Sequence, residues 1–494
     1  MVKKNRTPSI FFRDRDSCDT VHEVKARECK VIDKVHSLPM RKPKRRDIYM
    51  APSLKRGLFS FTLVVLVMAG SAAAPGQESF GVLLAVGDMR GEIKPCGCSE
   101  KGQMGGLLRR LTYLESLMSG GENTPVLVDL GNNFPPPSDQ GRIKVELIQP
   151  LLKRFPPHAY LPGPNEWAMG FRLMDPDLPY VLSNARSESP WPEYRTVERG
   201  GRRLGLYGYL SPEEVFQGRG SPVMLEAASA VVLERMVHHM AREHHVLRVL
   251  LFRGSDAELE LFAASGRFEL IVAGNPSPDE LTQITERRIP AGLVPQVPTK
   301  SQGVLRMNLP SKSVPRPPVA VDWLTEAYAD HPEAVKAMQA YDEKVKQMFF
   351  SRLSTVQKAE RESLFAGEAT CRQCHPAAAA VWNPTRHAHA LATLERVGKN
   401  HDPECLACHV VGYEQGGYLS QGLTPTLANV QCENCHGPSR GHAALPTVRT
   451  GQPPGASLAA PTPPTEGTCR QCHKGSHSPV FDFSVYWPKI KHGK

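Results

Sequence analysis

Between Cys371 and His473 the chain repeats one five-residue pattern four times: Cys371-Arg-Gln-Cys374-His375, Cys405-Leu-Ala-Cys408-His409, Cys432-Glu-Asn-Cys435-His436 and Cys469-Arg-Gln-Cys472-His473. Two cysteines three positions apart sit about one helical turn from each other. Each thiol can then form a thioether with one vinyl group of the same porphyrin, and the adjacent histidine lies under the ring and ligates the iron from its proximal side. At this chain's composition a chance match is expected on the order of 0.01 times per sequence, so four matches close together are not chance. Paired C-x-x-C units also build zinc ribbons, but a zinc ribbon leaves the four histidines unexplained. The pattern predicts four covalently attached haem c groups. Cys371, Cys374, Cys405, Cys408, Cys432, Cys435, Cys469 and Cys472 are the attachment sites, and His375, His409, His436 and His473 are the proximal iron ligands.

The rest of the chain must be compatible with that cargo. Its 494 residues allow two or three domains, and 44 Pro with 40 Gly predict long irregular connections. The net charge of +10 does not mark a polyanion binder. Residues 1–49 hold 14 Lys/Arg against 7 Asp/Glu, and Lys55 and Arg56 add two more positive charges, so the chain from residue 75 onward is almost neutral. A nucleic-acid partner has no support there.

Residues 50–74 have the three parts of a secretory signal: a basic flank at Lys55-Arg56, an apolar run Leu58 to Ala69, and small residues Ser71 to Ala74. The run is short for a membrane span, which needs about 20 residues. An uncleaved anchor from Gly57 to Ala74 is the alternative, and both place the remainder outside the cytoplasm, in the periplasm. Residues 1–49 are polar, basic and patternless. They read either as sequence ahead of a start at Met50 or as a basic, disordered tail.

From residue 78 to about 320, short apolar runs alternate with helical patterns. Expected strands are Phe80–Val86, Val126–Asp129, Tyr180–Leu182, Leu204–Tyr207, Val249–Phe252, Leu270–Ala273 and Val304–Leu309. Expected helices are Gly106–Met118, Lys144–Lys153, Leu225–Glu243 and Asp256–Ala264. The alternation predicts a layered α/β domain, and runs apolar throughout suit a sheet covered on both faces. The loops after these strands are Gly87-Asp88-Met89-Arg90-Gly91, Asp129-Leu130-Gly131-Asn132, Gly163-Pro164-Asn165-Glu166-Trp167, Leu182-Ser183-Asn184 and Ala273-Gly274-Asn275-Pro276-Ser277. A further loop, Met104-Gly105-Gly106-Leu107, opens a helix.

Their order resembles the metallophosphatase fold of periplasmic 5′-nucleotidases. In that family such loops bring Asp, His and Asn onto two metal ions. Here Arg90 stands at a His position, Asn132 at the bridging Asp, Pro164 and Asn165 in the Asn and His slots, and Asn275-Pro276-Ser277 in the late His-x-His. Arg253 lies near the place of another missing His. Only Asp88 clearly survives, and one carboxylate beside Arg90 cannot hold two dications against water. The resemblance with these departures implies a non-hydrolytic descendant of the fold, with an active phosphoesterase as the alternative. Cys96 and Cys98, in Pro95-Cys96-Gly97-Cys98, are too tightly spaced for an easy mutual disulfide. They could ligate a soft metal, take part in thiol chemistry, form a strained or alternately paired disulfide, or be a simple loop thiol pair.

In residues 321–365, Val335, Met338, Tyr341, Val345 and Met348-Phe349 recur at helical spacing and predict one or two amphipathic helices connecting the halves. Residues 366–494 are too few to build a protein core and then add four cofactors, so the porphyrins must themselves be the core of a mostly helical module. The module resembles multihaem cytochromes of the cytochrome c-554 type. The likeness rests on Trp382 through Arg386-His387-Ala388-His389-Ala390, Asp402-Pro403-Glu404-Cys405, Gln431 through Gly437-Pro438 to His442, and Phe481 to His492. The run Pro446–Thr465 departs from it and reads as a surface loop. Six further histidines, His387, His389, His401, His442, His477 and His492, are available for distal positions. The resemblance favours His387, His442 and His492, with His389 and His477 competing for the fourth and His401 on the surface.

These readings predict a periplasmic four-haem electron carrier that serves redox partner proteins there or at the membrane, with a catalytically inactive α/β domain as scaffold or docking surface. One open iron position would instead make a redox enzyme acting on a small inorganic nitrogen or sulfur species. An active α/β domain would make a phosphoesterase fused to a cytochrome.

Overall fold

The apolar runs of the first half pair into two sheets in a computed structural model of the chain, which describes residues 81–95, 103–121, 124–186, 189–199, 201–217, 223–276, 285–311, 314–356, 363–445, 462–474, 478 and 480–493. The extension 1–49, the signal 50–74, Cys18, Cys29, Cys96, Cys98, Ser277, His477 and most of the run 446–465 lie outside the described residues.

One sheet contains β1 (Val82–Val86), β2 (Val126–Asp129), β3 (Ala159–Tyr160), β10 (Gly303–Asn308) and β11 (Val319–Trp323), in the order β11-β10-β1-β2-β3. β1, β2 and β3 are parallel, whereas β10 runs antiparallel to β1 and β11 to β10. The second sheet contains β4 (Tyr194–Arg199), β5 (Arg202–Leu210), β6 (Leu247–Arg253) and β7 (Leu270–Ala273), parallel except for β4. A separate hairpin joins β8 (Glu286–Ile289) to β9 (Gly292–Pro295).

Strand side chains alternate between faces, and the buried residues sort by that alternation. Leu83, Ala85, Val126 and Val128 of the first sheet meet Leu206, Val249, Leu251 and Val272 of the second in one core. The opposite faces are covered by helices. Leu84, Val86 and Leu127 pack on Tyr113 and Leu114 of α1 (Leu107–Met118). Tyr207, Tyr209, Leu250 and Phe252 pack on α4 (Ala230–Arg242) and α5 (Asp256–Ala264). The result is an α/β/β/α sandwich with sheets buried on both faces, which is why their strands are apolar throughout.

The differences from the sequence pattern have local causes. α2 (Asp139–Leu152) begins five residues before the expected Lys144, at a Ser138 cap whose hydroxyl accepts from Gly141 N. Its buried Gln140 and Lys144 broke the apolar period. Tyr180–Leu182, expected as a strand, makes a single bridge from Tyr180 to Tyr160. β4, a mixed polar and apolar edge strand, escaped notice because it is mostly half-buried. β11 carries the sheet past residue 320.

The connector contains one helix, α6 (Pro332–Val356). Ala334, Tyr341 and Val345 bury against the helices over the first sheet. Phe349, further along the same helix, buries among Phe365, Leu391, Leu394 and Leu406 of the C-terminal module. One stiff element therefore shares its apolar stripe between two cores. The module consists of short helices, and beyond Ala428 no apolar side chain of the described residues is buried.

Truncating Phe349 to Ala removes a side chain that is 4% exposed and is expected to cost about 3–5 kcal/mol. Phe350→Ala, at a neighbouring side chain 54% exposed, is expected to stay within about 0.5 kcal/mol. Denaturant midpoints of the two variants check the pair.

Candidate haem centres and the strand-end cluster

The loops that resemble a two-metal site do converge at the strand ends. Asp88, Arg90 and Asn132 have φ of 48°, 52° and 56°, a left-handed backbone that turns their side chains inward at some conformational cost. Gly131 and Gly163 let the loops touch: a Cβ on Gly131 would lie 2.0 Å from the Leu161 carbonyl, and one on Gly163 2.3 Å from Asn132 N.

Asp88 is fully buried. One of its carboxylate oxygens accepts from Arg253 Nη2 at 2.6 Å and from Asn275 N at 2.7 Å; the other accepts from Asn132 Nδ2 at 3.0 Å. Arg90 Nη2 lies 3.5 Å from Asp88 and donates to the Asn275 carbonyl at 2.8 Å. Asn165 donates to the Phe134 carbonyl at 2.8 Å. Glu166 is spent on structure, accepting from Asn132 N, Asn133 N, Gly163 N and the Tyr160 hydroxyl at 2.7–3.0 Å.

The positive charge at this point belongs to Arg253, itself 2% exposed. Burial works to discharge the guanidinium, but Asp88 and Glu214 beside it leave its pKa above the ordinary value. Burial in turn pushes Glu214 upward, against the pull of Arg253. A permanently protonated guanidinium cannot ligate a cation. Among the described residues no group of three His, Cys, Asp or Glu could hold a metal ion. The described strand-end residues do not supply the ligand set of a two-metal centre.

The C-terminal module has the opposite character. Its motifs begin on short helices: Glu368–Cys374, Pro403–His409, Cys432–His436 and Glu466–Arg470. The second is capped by Asp402, whose side chain accepts from Glu404 N, and the fourth by Thr465. A helical start puts the two thiols of a motif on one face. The eight motif cysteines are not joined in disulfides. Cys371 lies beside Cys432, and Cys408 beside Cys472, so the first motif neighbours the third and the second neighbours the fourth. Burial pushes the Cys435 thiol up to about 11.

The histidines come together in pairs. The ring centroids of His375 and His442 are 6.5 Å apart, those of His436 and His492 5.8 Å, and those of His473 and His387 6.0 Å. A metal held between two imidazoles, each nitrogen roughly 2 Å away, places the centroids roughly 6 Å apart. The three gaps therefore fit an iron each. Nδ1 of His442 is buried with no hydrogen-bond partner among the described residues. Burial lowers the pKa values of His387, His436 and His473, favouring the neutral, ligating imidazole.

Several motif histidine rings are oriented from behind. His409 Nδ1 is 2.8 Å from the Ala390 carbonyl, His436 Nδ1 3.1 Å from the Thr462 carbonyl, and His473 Nδ1 3.1 Å from the Ser478 hydroxyl. An Nδ1–H donated backwards leaves Nε2 as the lone-pair nitrogen. No described histidine ring faces His409 across a gap of the kind the other three share. His389 is exposed, and His401 sits near Lys346 and Asp342 of α6.

Sequence reasoning missed the supports of this framework. Glu433 accepts from Ala366 N, Gly367 N and Ser439 N, and Gln431 donates to the carbonyls of Thr426 and Ala428. Asp402 is likewise buried. Only Asp402 had a legible signal, the Asp-Pro pair of a helix start.

Residues 370–437 match the family model described as cytochrome c554 and c-prime, and with that likeness comes covalently bound haem c. Cytochrome c-554 of Nitrosomonas europaea is 35% identical over 104 residues, covering 18% of this chain and 44% of that protein. The chain thus spans less than half the length of this curated relative. Among solved structures, the 5′-nucleotidase precursor of Thermus thermophilus is similar at a TM-score of 0.43 and 18% identity, over 54% of this chain and 59% of that one. The sulfate thiohydrolase SoxB of the same organism is similar at 0.44 and 13% identity, over 59% of this chain and 63% of that one. The chain joins an α/β portion similar in fold to these enzymes to a stretch similar to the c-type cytochromes.

Proposed function

We propose that this chain is an exported electron carrier of the periplasm that holds four haem c groups through its four Cys-x-x-Cys-His motifs, with the α/β layers as a non-hydrolytic scaffold. The observation that carries this reading is the trio of imidazole pairs. His375, His436 and His473 are the proximal ligands of three irons and His442, His492 and His387 their distal ligands. His409 is the proximal ligand of the fourth. Bound haem iron supplies one-electron redox chemistry.

The side chains supply the rest. Two neutral imidazoles on one iron leave no site for a substrate, which suits outer-sphere transfer. The neighbouring thiols of the first and third motifs, and of the second and fourth, bring cofactors close in pairs. The partners are redox proteins of the same compartment or the membrane face. The near neutrality of the chain past residue 75 gives no reason to expect a nucleic acid. The poor fit of the described strand-end residues to a two-metal ligand set favours a scaffold over a phosphoesterase.

A second reading, in which one iron keeps an open position and acts on a small nitrogen or sulfur species, turns on His409, which no described histidine ring faces; the candidate His477 lies outside the described residues. Spin state separates the two. Four low-spin haems that ignore CO after reduction identify a pure carrier; one high-spin, CO-binding haem in four identifies the enzyme.

Haem quantitation should give four per chain, and colourless protein loaded with zinc would overturn the reading. His442→Ala should convert one haem to a high-spin, CO-binding form at unchanged haem content, read by electron paramagnetic resonance. A phosphodiester substrate should remain unhydrolysed with Mn²⁺, whereas hydrolysis that disappears in Asp88→Ala would restore the hydrolase. Arg253→Met, which strands the buried Asp88 carboxylate, should destabilise the chain by about 3–5 kcal/mol in denaturant unfolding.

A further inference from the structure

The polar contacts that join the α/β sandwich and α6 to the module converge on residues 399–414, the stretch around the second motif. Asp402 is 5% exposed. One of its carboxylate oxygens accepts from Gln140 Nε2 at 2.7 Å and from Glu404 N at 3.1 Å; the other is 3.3 Å from Lys399 Nζ. Gln140 also donates to the Tyr341 hydroxyl of α6 at 2.8 Å. One turn along α2, Lys144 Nζ reaches both Glu404 carboxylate oxygens at 2.7 and 2.8 Å. Lys399 is paired with Asp342 of α6, and Arg352 bridges Asp139 and Glu414 at 2.7 and 2.9 Å. The first and third motifs are held differently, by the module itself, through Glu433 and the backbone of Ala366 and Gly367.

We propose that the α/β domain positions one particular haem, the one bound at Cys405, Cys408 and His409, and sets its reduction potential through Gln140 and Lys144. The proposal rests on the four-haem reading above. Its physical basis is that the helix Pro403–His409 spans seven residues, too few to be stable alone. Both thioether cysteines and the proximal histidine ride on it, so whatever holds its N-terminus places the imidazole. Asp402 and Glu404 also put two carboxylates at the start of the helix that ends in His409, the residue that would hold an iron whose charge changes on oxidation. Lys399 and Lys144 compensate those charges at contact distance while Gln140 donates a hydrogen bond to Asp402; the Asp402 side is buried, and the half-exposed Glu404 is partly screened by solvent. Gln140 and Lys144 are positioning residues that touch no substrate.

The sign follows. Removing the Lys144 charge leaves Glu404 uncompensated, which stabilises the more positive, oxidised iron and lowers its potential. Removing the Glu404 charge leaves Lys144 and raises it.

The test is a spectroelectrochemical titration of the full haem-loaded chain, with each haem followed by its electron paramagnetic resonance signal. Lys144→Met should shift one of four midpoints downward and Glu404→Gln should shift the same one upward, while Lys144→Arg restores the wild-type value. Gln140→Leu should broaden or shift the signal of that haem alone. Lys344→Met, which breaks the exposed α6–α2 pair with Glu146, should move none. Midpoints that all stay in place, or all shift together, overturn the proposal. Because Glu404 is surface-exposed, Glu404→Gln keeps the test alive if Lys144→Met fails to fold. A wild-type haem content below four would overturn the underlying reading instead and leave the contact geometry untouched.

Discussion

A gap of roughly 6 Å between facing imidazole rings is the spacing on which the C-terminal part of this molecule depends. It is the separation expected for two imidazoles on opposite sides of one metal, and it recurs at His375/His442, His436/His492 and His473/His387. Around these pairs the polypeptide provides little else to hold itself together. Beyond Ala428 the described apolar side chains are all at least partly exposed, including Val480, Val485 and Tyr486. A segment with so little of its own to bury cannot offset the entropy of ordering its backbone. On the four-haem reading proposed above, a large flat hydrophobic group tied to each motif would supply the missing interior.

The α/β half illustrates a different solution to charge burial. A site of converging strand-end loops needs a positive charge to balance Asp88 and its acidic neighbours. In this chain the charge comes from Arg253, which donates to Asp88 and to the carbonyls of Leu130 and Gly131. A guanidinium satisfies several acceptors at once in a fixed plane and keeps its proton at any ordinary pH. The loops therefore remain tightly organised, with left-handed residues and close glycine contacts, without a metal ligand set among the described residues. A pair this deep is strongly destabilising to break but is not in itself a source of stability.

α6 couples the two halves. Its early turns belong to the core over the first sheet, and Phe349 belongs to the module. Because one helix serves both cores, and because Gln140 and Lys144 reach across to Asp402 and Glu404, displacement of one half strains the other. The Gln140 and Lys144 contacts fall at the start of one motif helix, Pro403–His409.

Much of this was legible in the chain itself. The four Cys-x-x-Cys-His motifs are legible at fixed spacing whatever the tertiary context. Strands such as Val126–Asp129 and Leu270–Ala273 were readable because burial on both faces demands uninterrupted apolar residues. The one-sided edge strand β4 and the polar first turn of α2 were not, since half-burial and buried polar side chains blur the period. That the strand-end loops carry few His, Cys, Asp or Glu side chains could also be read from residue identity alone. What only the tertiary structure decided is which groups face one another. His442 could have served any motif by sequence, and Arg253 could have pointed to solvent. Partnership of that kind depends on distances between residues far apart along the chain, and local pattern carries no information about them until the backbone has folded.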